Sequence, residues 1–297
     1  MTSIGFIGVG TIGGPMAERL RAAGHALVVY DVATAATATF AARGARVATG
    51  IEDIARECAT VFLSLPGPAQ IETVMDALLA ARGAVRTVID LSTNALALNR
   101  ALAARAAAQD IAYLDAPVSG GKVAAANGTL AVMVGGDAEA FASVRPLLDC
   151  FARHVFHLGA AGAGTLAKLV NNQVFLCASV LIQEGFVLGA KAGMDPDTLM
   201  DVLKVSSAGS LLARAPLLLG RNFNQDLFAL GIAAKDVGLA LASAEAVGAS
   251  MPATAAAHGV YQQALAQGLG GEDFFATVKV LEEAAGITLP ALGRART

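Results

Sequence analysis

A strand, a glycine loop, a helix and a second strand follow one another within the first thirty-one residues, and this order constrains the chain more than anything else in it. Ser3-Ile4-Gly5-Phe6-Ile7 runs into Gly8-Val9-Gly10-Thr11-Ile12-Gly13, a helix-forming stretch reaches to about Gly24, and a second apolar run, 26–30, ends on Asp31. Gly8 permits the tight turn, Gly10 lets the backbone approach a pyrophosphate, and Gly13 lets the helix pack closely on the strand. Thr11 and Ile12 complete a loop whose helix N-terminus turns unpaired N–H groups and a positive dipole end toward phosphate. Asp31 follows Gly8 by 23 residues, where a carboxylate accepts hydrogen bonds from both hydroxyls of a ribose. The unit reads as a dinucleotide site. Asp31 repels a 2′-phosphate, Val32-Ala33-Thr34 offers no cation to bind one, and the next basic residue is Arg43, so NAD is favoured over NADP.

Beyond Asp31, strand and helix signals alternate at βα spacing. Apolar runs at 61–65 (ending at Pro66), 88–91 (ending on Ser92-Thr93-Asn94, read as a helix cap), 112–115 and 130–134 mark strands of a parallel sheet, and a strand near 155–158 completes the series. After Gly164 the remaining chain is helical, with breaks at 194–196, 222–224, 248–252 and 268–272. This gives an α/β class: a doubly wound Rossmann-type domain over 1–161, an interdomain helix over 162–192, and an all-helical domain over 193–297. At 297 residues, 55% hydrophobic and 15% charged, the chain must bury much of itself.

The net charge of −3 gives no case for nucleic acid or an anionic membrane as partner. Three widely spaced cysteines suit reduced thiols and a cytoplasmic setting, and four scattered histidines form no metal cluster. The first strand begins almost at Met1, which leaves no room for a targeting segment. The apolar stretch 166–191 carries Lys168, Asn171, Asn172, Gln173, Gln183 and Glu184 and reads as a buried helix of a soluble protein.

Two segments point to chemistry. Asp115-Ala116-Pro117-Val118-Ser119-Gly120-Gly121 follows the end of a strand, and a serine before two glycines exposes N–H groups beside a hydroxyl, a cradle for a small carboxylate. In 162–172, Lys168 and Asn172 stand at i and i+4 on one helix face. Apolar neighbours Leu166, Ala167, Leu169 and Val170 suggest a partly buried amine, suited to general acid/base work. Phe228 and, seven residues on, Lys235-Asp236 say little alone; a Lys-Asp pair at a helix start is ordinarily a solvated cap.

Together these segments resemble the β-hydroxyacid dehydrogenase family. The likeness runs over 5–17, Leu65-Pro66, Ser92-Thr93, 115–121, 128–130 and 164–172, essentially the whole chain. It implies that Ser119, Gly120 and Gly121 bind the substrate carboxylate, Lys168 is the acid/base and Asn172 orients substrate or lysine. It further implies that Leu65, Pro66 and Thr93 line the nicotinamide side. Phe228 and Lys235 close the site, Lys235 serving substrate and coenzyme alike. Such enzymes form homodimers or homotetramers through the helical domain. Segments 214–216, 221–223 and 248–252 resemble 2-hydroxy-3-oxopropionate reductases more than mammalian-type 3-hydroxyisobutyrate dehydrogenases. The expected activity is NAD-dependent interconversion of a short 3-hydroxy acid and its semialdehyde, with Val118, Val123, Leu169 and Phe228 leaving room for only a short C2 substituent. The alternatives are an NADPH-dependent succinic semialdehyde or glyoxylate reductase, which Asp31 disfavours, and a non-catalytic scaffold. Imine reductases on this scaffold lack the catalytic lysine, and Lys168 argues against them.

Overall fold

Continuous apolar runs bounded by turns become buried strands, and five of them, with a short exposed edge strand at Arg46–Val47, form one parallel sheet. The structure, a computed structural model, describes residues 3–224 and 228–292, the side chains of Ala213 and Arg214 excepted; Arg214 of the 214–216 segment therefore lies outside the described side chains. The chain divides into two units, Met1–Leu169 and Val170–Thr297.

In the first unit the elements run β1 (Ile4–Ile7), α1 (Gly13–Ala22), β2 (Leu27–Tyr30), α2 (Thr34–Ala42), β3 (Arg46–Val47), α3 (Ile51–Glu57), β4 (Thr60–Leu63), α4 (Pro68–Ala81), β5 (Thr87–Asp90), α5 (Leu96–Ala107) and β6 (Ala112–Asp115). The sheet order is β3-β2-β1-β4-β5-β6, all parallel. Register explains the core. Phe6 pairs with Val29 and Phe62, Phe62 with Ile89, and Ile89 with Leu114, and this row packs on one face of the sheet. The alternating residues Val28, Val61, Val88 and Tyr113 pack on the other. The sheet is doubly wound as the sequence predicts, with helices over two apolar faces.

The later strands depart from the expected single series. β7 (Val118–Ser119), α6 (Gly121–Asn127), β8 (Leu130–Val134), α7 (Ala138–Leu148) and β9 (Ala152–His157) make a separate sheet, order β7-β8-β9, with β7 antiparallel to β8. The reason is length. Only Ala116 and Pro117 separate β6 from β7, too little for the crossover that a parallel neighbour needs. An Asp115–Gly135 bridge joins the two sheets at the C-terminal end of β6.

Helix α8 (Ala163–Lys191) carries the chain from the first unit into the second, where α9 (Pro196–Lys204), α10 (Ala215–Leu218), α11 (Leu230–Ala246), α12 (Pro252–Ala266) and α13 (Thr277–Ala285) pack around Phe186, Tyr261, Phe274 and Phe275. Among the described residues α8 is the one helix long and apolar enough to cross a membrane. It is not the wholly buried helix expected: Leu166, Val170, Val174, Leu181 and Leu188 lie exposed on it. Its buried face, by contrast, uses polar groups inside the fold. Gln183 donates to Phe275 O at 2.8 Å and accepts from Thr277 Oγ1 at 2.7 Å.

Candidate active site

The glycine loop separates what packing demands from what a ligand demands. A Cβ on Gly8 would lie 2.1 Å from Ser64 O, at a φ of +89° that glycine alone tolerates well, and one on Gly13 would lie 1.9 Å from Gly8 O. Those two glycines are explained by the fold. Gly10 is not: a Cβ there would meet no protein atom within 4 Å. The space beside it is open, which leaves room for a close approach from outside at the start of α1. No side chain caps that helix, so its first N–H groups have no side-chain acceptor.

Asp31 stands just past β2, half-buried. Its Oδ2 accepts from Val9 N and its Oδ1 from Ala33 N, each at 2.9 Å. The carboxylate is thus fixed against the glycine loop, and each oxygen keeps a lone pair for a ribose hydroxyl. Val32 beside it is 88% exposed.

Leu65, Pro66 and Thr93 follow β4 and β5 at the C-terminal edge of the sheet, where open α/β sheets bind ligands. The Ser92-Thr93-Asn94 segment does not cap α5, which has no side-chain cap. Ser92 Oγ instead accepts from Leu65 N at 2.9 Å, and Asn94 Nδ2 donates to Asn99 Oδ1 at 2.5 Å. These groups enter a buried network that the sequence reading missed. Tyr113 Oη lies 2.8 Å from Asp90 Oδ2 and 2.7 Å from Asn99 Oδ1. One phenol proton cannot serve both acceptors. Burial pushes the Asp90 carboxyl up to about 6 against the hydrogen bonds from Ser92 and Tyr113. The sequence did carry one signal, since Asn99 is an amide on the same stripe as Leu96, Leu102 and Ala106, the buried face of α5.

Ser119 ends β7, half-buried, with no side-chain hydrogen bond among the described residues. It pairs with Ala131 on β8. Gly120 and Gly121 take φ of +132° and +73° and open α6; a Cβ on Gly120 would also crowd the Ala124 side chain at 2.6 Å. The first turn of α8 packs two residues further along β8: a Cβ on Gly164 would stand 2.1 Å from Met133 O. The serine turn and the start of the lysine helix therefore flank the same strand. Lys168 is half-buried, although its apolar neighbours Leu166 and Val170 are 44% and 52% exposed and do not enclose it. Of the expected apolar wall, Val123 is exposed and Leu169 is buried in the first unit, and in the second Phe228 stacks on Phe274 at 4.8 Å.

In the second unit Asn172 Nδ2 donates to Asp236 Oδ2 at 2.6 Å, and Asn171 Nδ2 donates to Asn172 Oδ1 at 2.9 Å. Lys235 and Asp236 lie well inside α11 rather than at its start, and Asp236 is only 3% exposed, so the solvated-cap reading is corrected. Lys235 Nζ is 2.9 Å from Asp236 Oδ1, an ion pair without hydrogen-bond geometry, for Oδ1 is a buried acceptor with no hydrogen bond. Asp236 was missed because sequence shows a charge pair but not which member of it faces the core.

Comparison with known proteins agrees with these features. Residues 3–159 match the NAD binding domain of 6-phosphogluconate dehydrogenase, and residues 162–281 match the family described as NAD-binding of NADP-dependent 3-hydroxyisobutyrate dehydrogenase. The chain is 34% identical over 292 residues to 2-(hydroxymethyl)glutarate dehydrogenase of Eubacterium barkeri, covering 96% of this chain and 97% of that one. It is 38% identical to 3-hydroxyisobutyrate dehydrogenase of Pseudomonas aeruginosa, covering 88% and 91%. The solved Mycobacterium tuberculosis 3-hydroxyisobutyrate dehydrogenase with L-serine superposes with a TM-score of 0.86 at 33% identity, covering 95% and 99%. NAD is the coenzyme that the matched domain and the glycine loop are built to hold. The chain belongs to the β-hydroxyacid dehydrogenase family of NAD(P)-dependent oxidoreductases.

Proposed function

We propose that this enzyme interconverts a short 3-hydroxy acid and its semialdehyde, of the 3-hydroxyisobutyrate or 2-hydroxy-3-oxopropionate type, and prefers NAD to NADP. The observation that carries the reading is the Ser119-Gly120-Gly121 turn. Its hydroxyl makes no bond within the described protein, and its two glycines hold left-handed conformations that open a helix. A turn of this kind binds a carboxylate through the hydroxyl and backbone N–H groups. NAD, when bound, supplies the hydride acceptor. Lys168 Nζ takes the proton of the C3 hydroxyl during oxidation and returns it during reduction. Asn172, its amide held by Asp236, keeps one N–H to orient substrate or lysine; Phe228 and Lys235 are assigned to substrate closure, Lys235 also to the coenzyme. Gly8, Gly10, Thr11, Ile12, Gly13, Asp31, Leu65, Pro66 and Thr93 are assigned to NAD.

A second reading has one observation in its favour. Lys122, exposed on the first turn of α6 right after Gly121, has no ion pair among the described residues. It suits a substrate with a second carboxylate, the class named for the Eubacterium barkeri relative. A kinetic panel separates the two: 3-hydroxyisobutyrate, 3-hydroxypropionate, glycerate, serine, 4-hydroxybutyrate and 2-(hydroxymethyl)glutarate with NAD and with NADP, and tartronate semialdehyde with NADH. The proposal expects three-carbon backbones to exceed 4-hydroxybutyrate at least about tenfold in kcat/KM, since misplacing the reacting carbon by one atom costs that much. Preference for 4-hydroxybutyrate with NADP would replace it by the succinic semialdehyde alternative. Preference for 2-(hydroxymethyl)glutarate, lost in Lys122→Ala, would establish the second reading.

The exposed apolar residues of α8 and a groove of about 310 Å³ lined by Leu181, Ile182, Leu199, Leu203 and Leu211 support assembly of this chain into a homodimer or homotetramer through its helical part. Light scattering of the purified protein tests this; a monomer at micromolar concentration refutes it. Cys58, Cys150 and Cys177 are all free thiols, which supports a cytoplasmic location.

A further inference from the structure

Asp115 heads the segment that binds the substrate carboxylate in the reading above, yet its own carboxylate faces the other way. It is completely buried. Oδ1 accepts from Gly162 N and Oδ2 from Thr165 N, both at 2.7 Å, so a strand-end acid caps the N-terminus of α8 from outside the helix. Gly135 and Gly164 make room for it: a Cβ on Gly135 would lie 2.6 Å from Asp115 Oδ1, and one on Gly164 would lie 2.7 Å from Asp115 O. The Thr165 hydroxyl, also fully buried, accepts from Asn99 Nδ2. From Asn99 the hydrogen bonds continue through Tyr113, Asp90 and Ser92 to Leu65 N.

One end of this path is the coenzyme-side edge of the sheet. The other is Thr165, three residues before Lys168 and therefore its neighbour on the helix surface. Every polar side chain along it, Asp115, Thr165, Asn99, Tyr113, Asp90 and Ser92, is buried, and each has a partner. A fully satisfied buried network is rigid, because any shift leaves a polar group without water or partner. An ordinary helix cap needs only the two Asp115 bonds. The extra link from Thr165 through Asn99 back to the Ser92 loop does nothing for the helix end, but it fixes the distance between that loop and the first turns of α8.

We propose that Thr165, Asn99 and Asp115 are positioning residues for Lys168, a buried frame that registers the lysine helix against the loops on the coenzyme side. The proposal rests on Lys168 being the acid/base. In oxidation the lysine amine must meet a hydroxyl proton while the adjacent C–H gives up its hydride, so a small displacement of the helix lowers the rate while leaving binding intact.

The test is a double-mutant cycle on the full-length enzyme. Thr165→Val keeps shape but removes the acceptor for Asn99. It is expected to lower kcat about ten- to a hundredfold, with KM and the NADH dissociation constant, read by fluorescence, within about twofold. Thr165→Ser, which keeps the hydroxyl, is expected to retain at least about half of kcat. In a Lys168→Ala background, Thr165→Val is expected to add nothing. Should Thr165→Val give no folded protein, Thr165→Ala reads the same loss. If Lys168→Ala abolishes turnover but Thr165→Val does not slow it, the frame is refuted and the acid/base reading stands. If the Thr165→Val effect persists undiminished on Lys168→Ala, the threonine acts on stability rather than on the lysine. If Lys168→Ala leaves turnover near wild type, both fall.

Discussion

In the proposed function Asp31 sets coenzyme choice, by a mechanism that can be broken in two separable ways. Its carboxylate has two tasks, accepting Val9 N and Ala33 N at 2.9 Å each and facing the ribose with what remains. Hydrogen bonds to a charged acceptor contribute about 1.5–3 kcal/mol each. Losing two ribose bonds at the low end is about 3 kcal/mol, or roughly a hundredfold in NADH affinity. Asp31→Ala also leaves two backbone N–H groups of the loop to water, a small cost at a half-exposed site but one that loosens the loop for any dinucleotide. NADP binding on Asp31→Ala alone should therefore gain less than removal of the charge by itself would give. Asp31→Ser keeps an acceptor for one backbone N–H and removes the charge. Relief of that repulsion is worth about 1–4 kcal/mol for unit charges near 4 Å. Combined with Val32→Arg, at a position 88% exposed and therefore sterically open, it should invert the NAD/NADP ratio of kcat/KM. Steady-state kinetics with both coenzymes, with NADH binding by fluorescence, measures each part. A wild-type enzyme faster on NADP, or a ratio unmoved in the double variant, refutes the argument.

Further expectations follow from the same geometry. Lys168→Ala should lower kcat by about 10²–10⁴ with NADH affinity unchanged, as stopped-flow turnover and fluorescence titration would reveal. Gly120→Ala, at a φ of +132° with Ala124 2.6 Å from the new Cβ, should raise KM for the acid by about tenfold or more and spare NADH binding. Asp236→Asn should weaken the hold on Asn172, lowering kcat more than it changes KM, whereas a purely structural carboxylate would show only as a lower melting temperature. Asp90 titrates at about 6 rather than 3.8 because burial opposes its charge. Its contribution to stability is therefore complete below pH 4 and is lost as pH rises through 6. Asp90→Asn, which mimics the protonated acid, should remove up to about 3 kcal/mol of that decline, seen as a flatter pH 4–7 dependence of unfolding by urea. Equal slopes in both proteins would mean that Asp90 is ionised throughout.

What was legible in the sequence shares a common property: it is set by neighbours close in the chain. The glycine loop, Asp31 at the end of β2, and Lys168 with Asn172 one helical turn apart are all local spacings, and the alternation of βα units follows from apolar runs and breaks. What was not legible depends on partners far away. The cap of α8 comes from Asp115, 47 residues before Gly162, and the amide that holds the Thr165 hydroxyl comes from Asn99, 66 residues earlier. Ser92-Thr93-Asn94 has the composition of a helix cap, but Leu65 N, 27 residues earlier, claims the Ser92 hydroxyl, and Asn99 takes the Asn94 amide. The split into two sheets could have been found, since Ala116-Pro117 is too short for a crossover.

The same division accounts for a fault in reading burial. Apolar flanks pointed to a partly buried Lys168, and it is half-buried, but a charged pair suggested that Asp236 is solvated, and it lies inside. Along a helix, composition reveals that a stripe exists but not which side of it meets the core. On α8 the face carrying Thr165, Asn172 and Gln183 goes inward, where each of those groups finds a partner: Asn99, Asp236 and Thr277. Desolvating a polar group without a partner costs more than leaving a leucine in water does. The helix is oriented by where its hydrogen bonds can be met, and its surplus of exposed leucine and valine is the consequence.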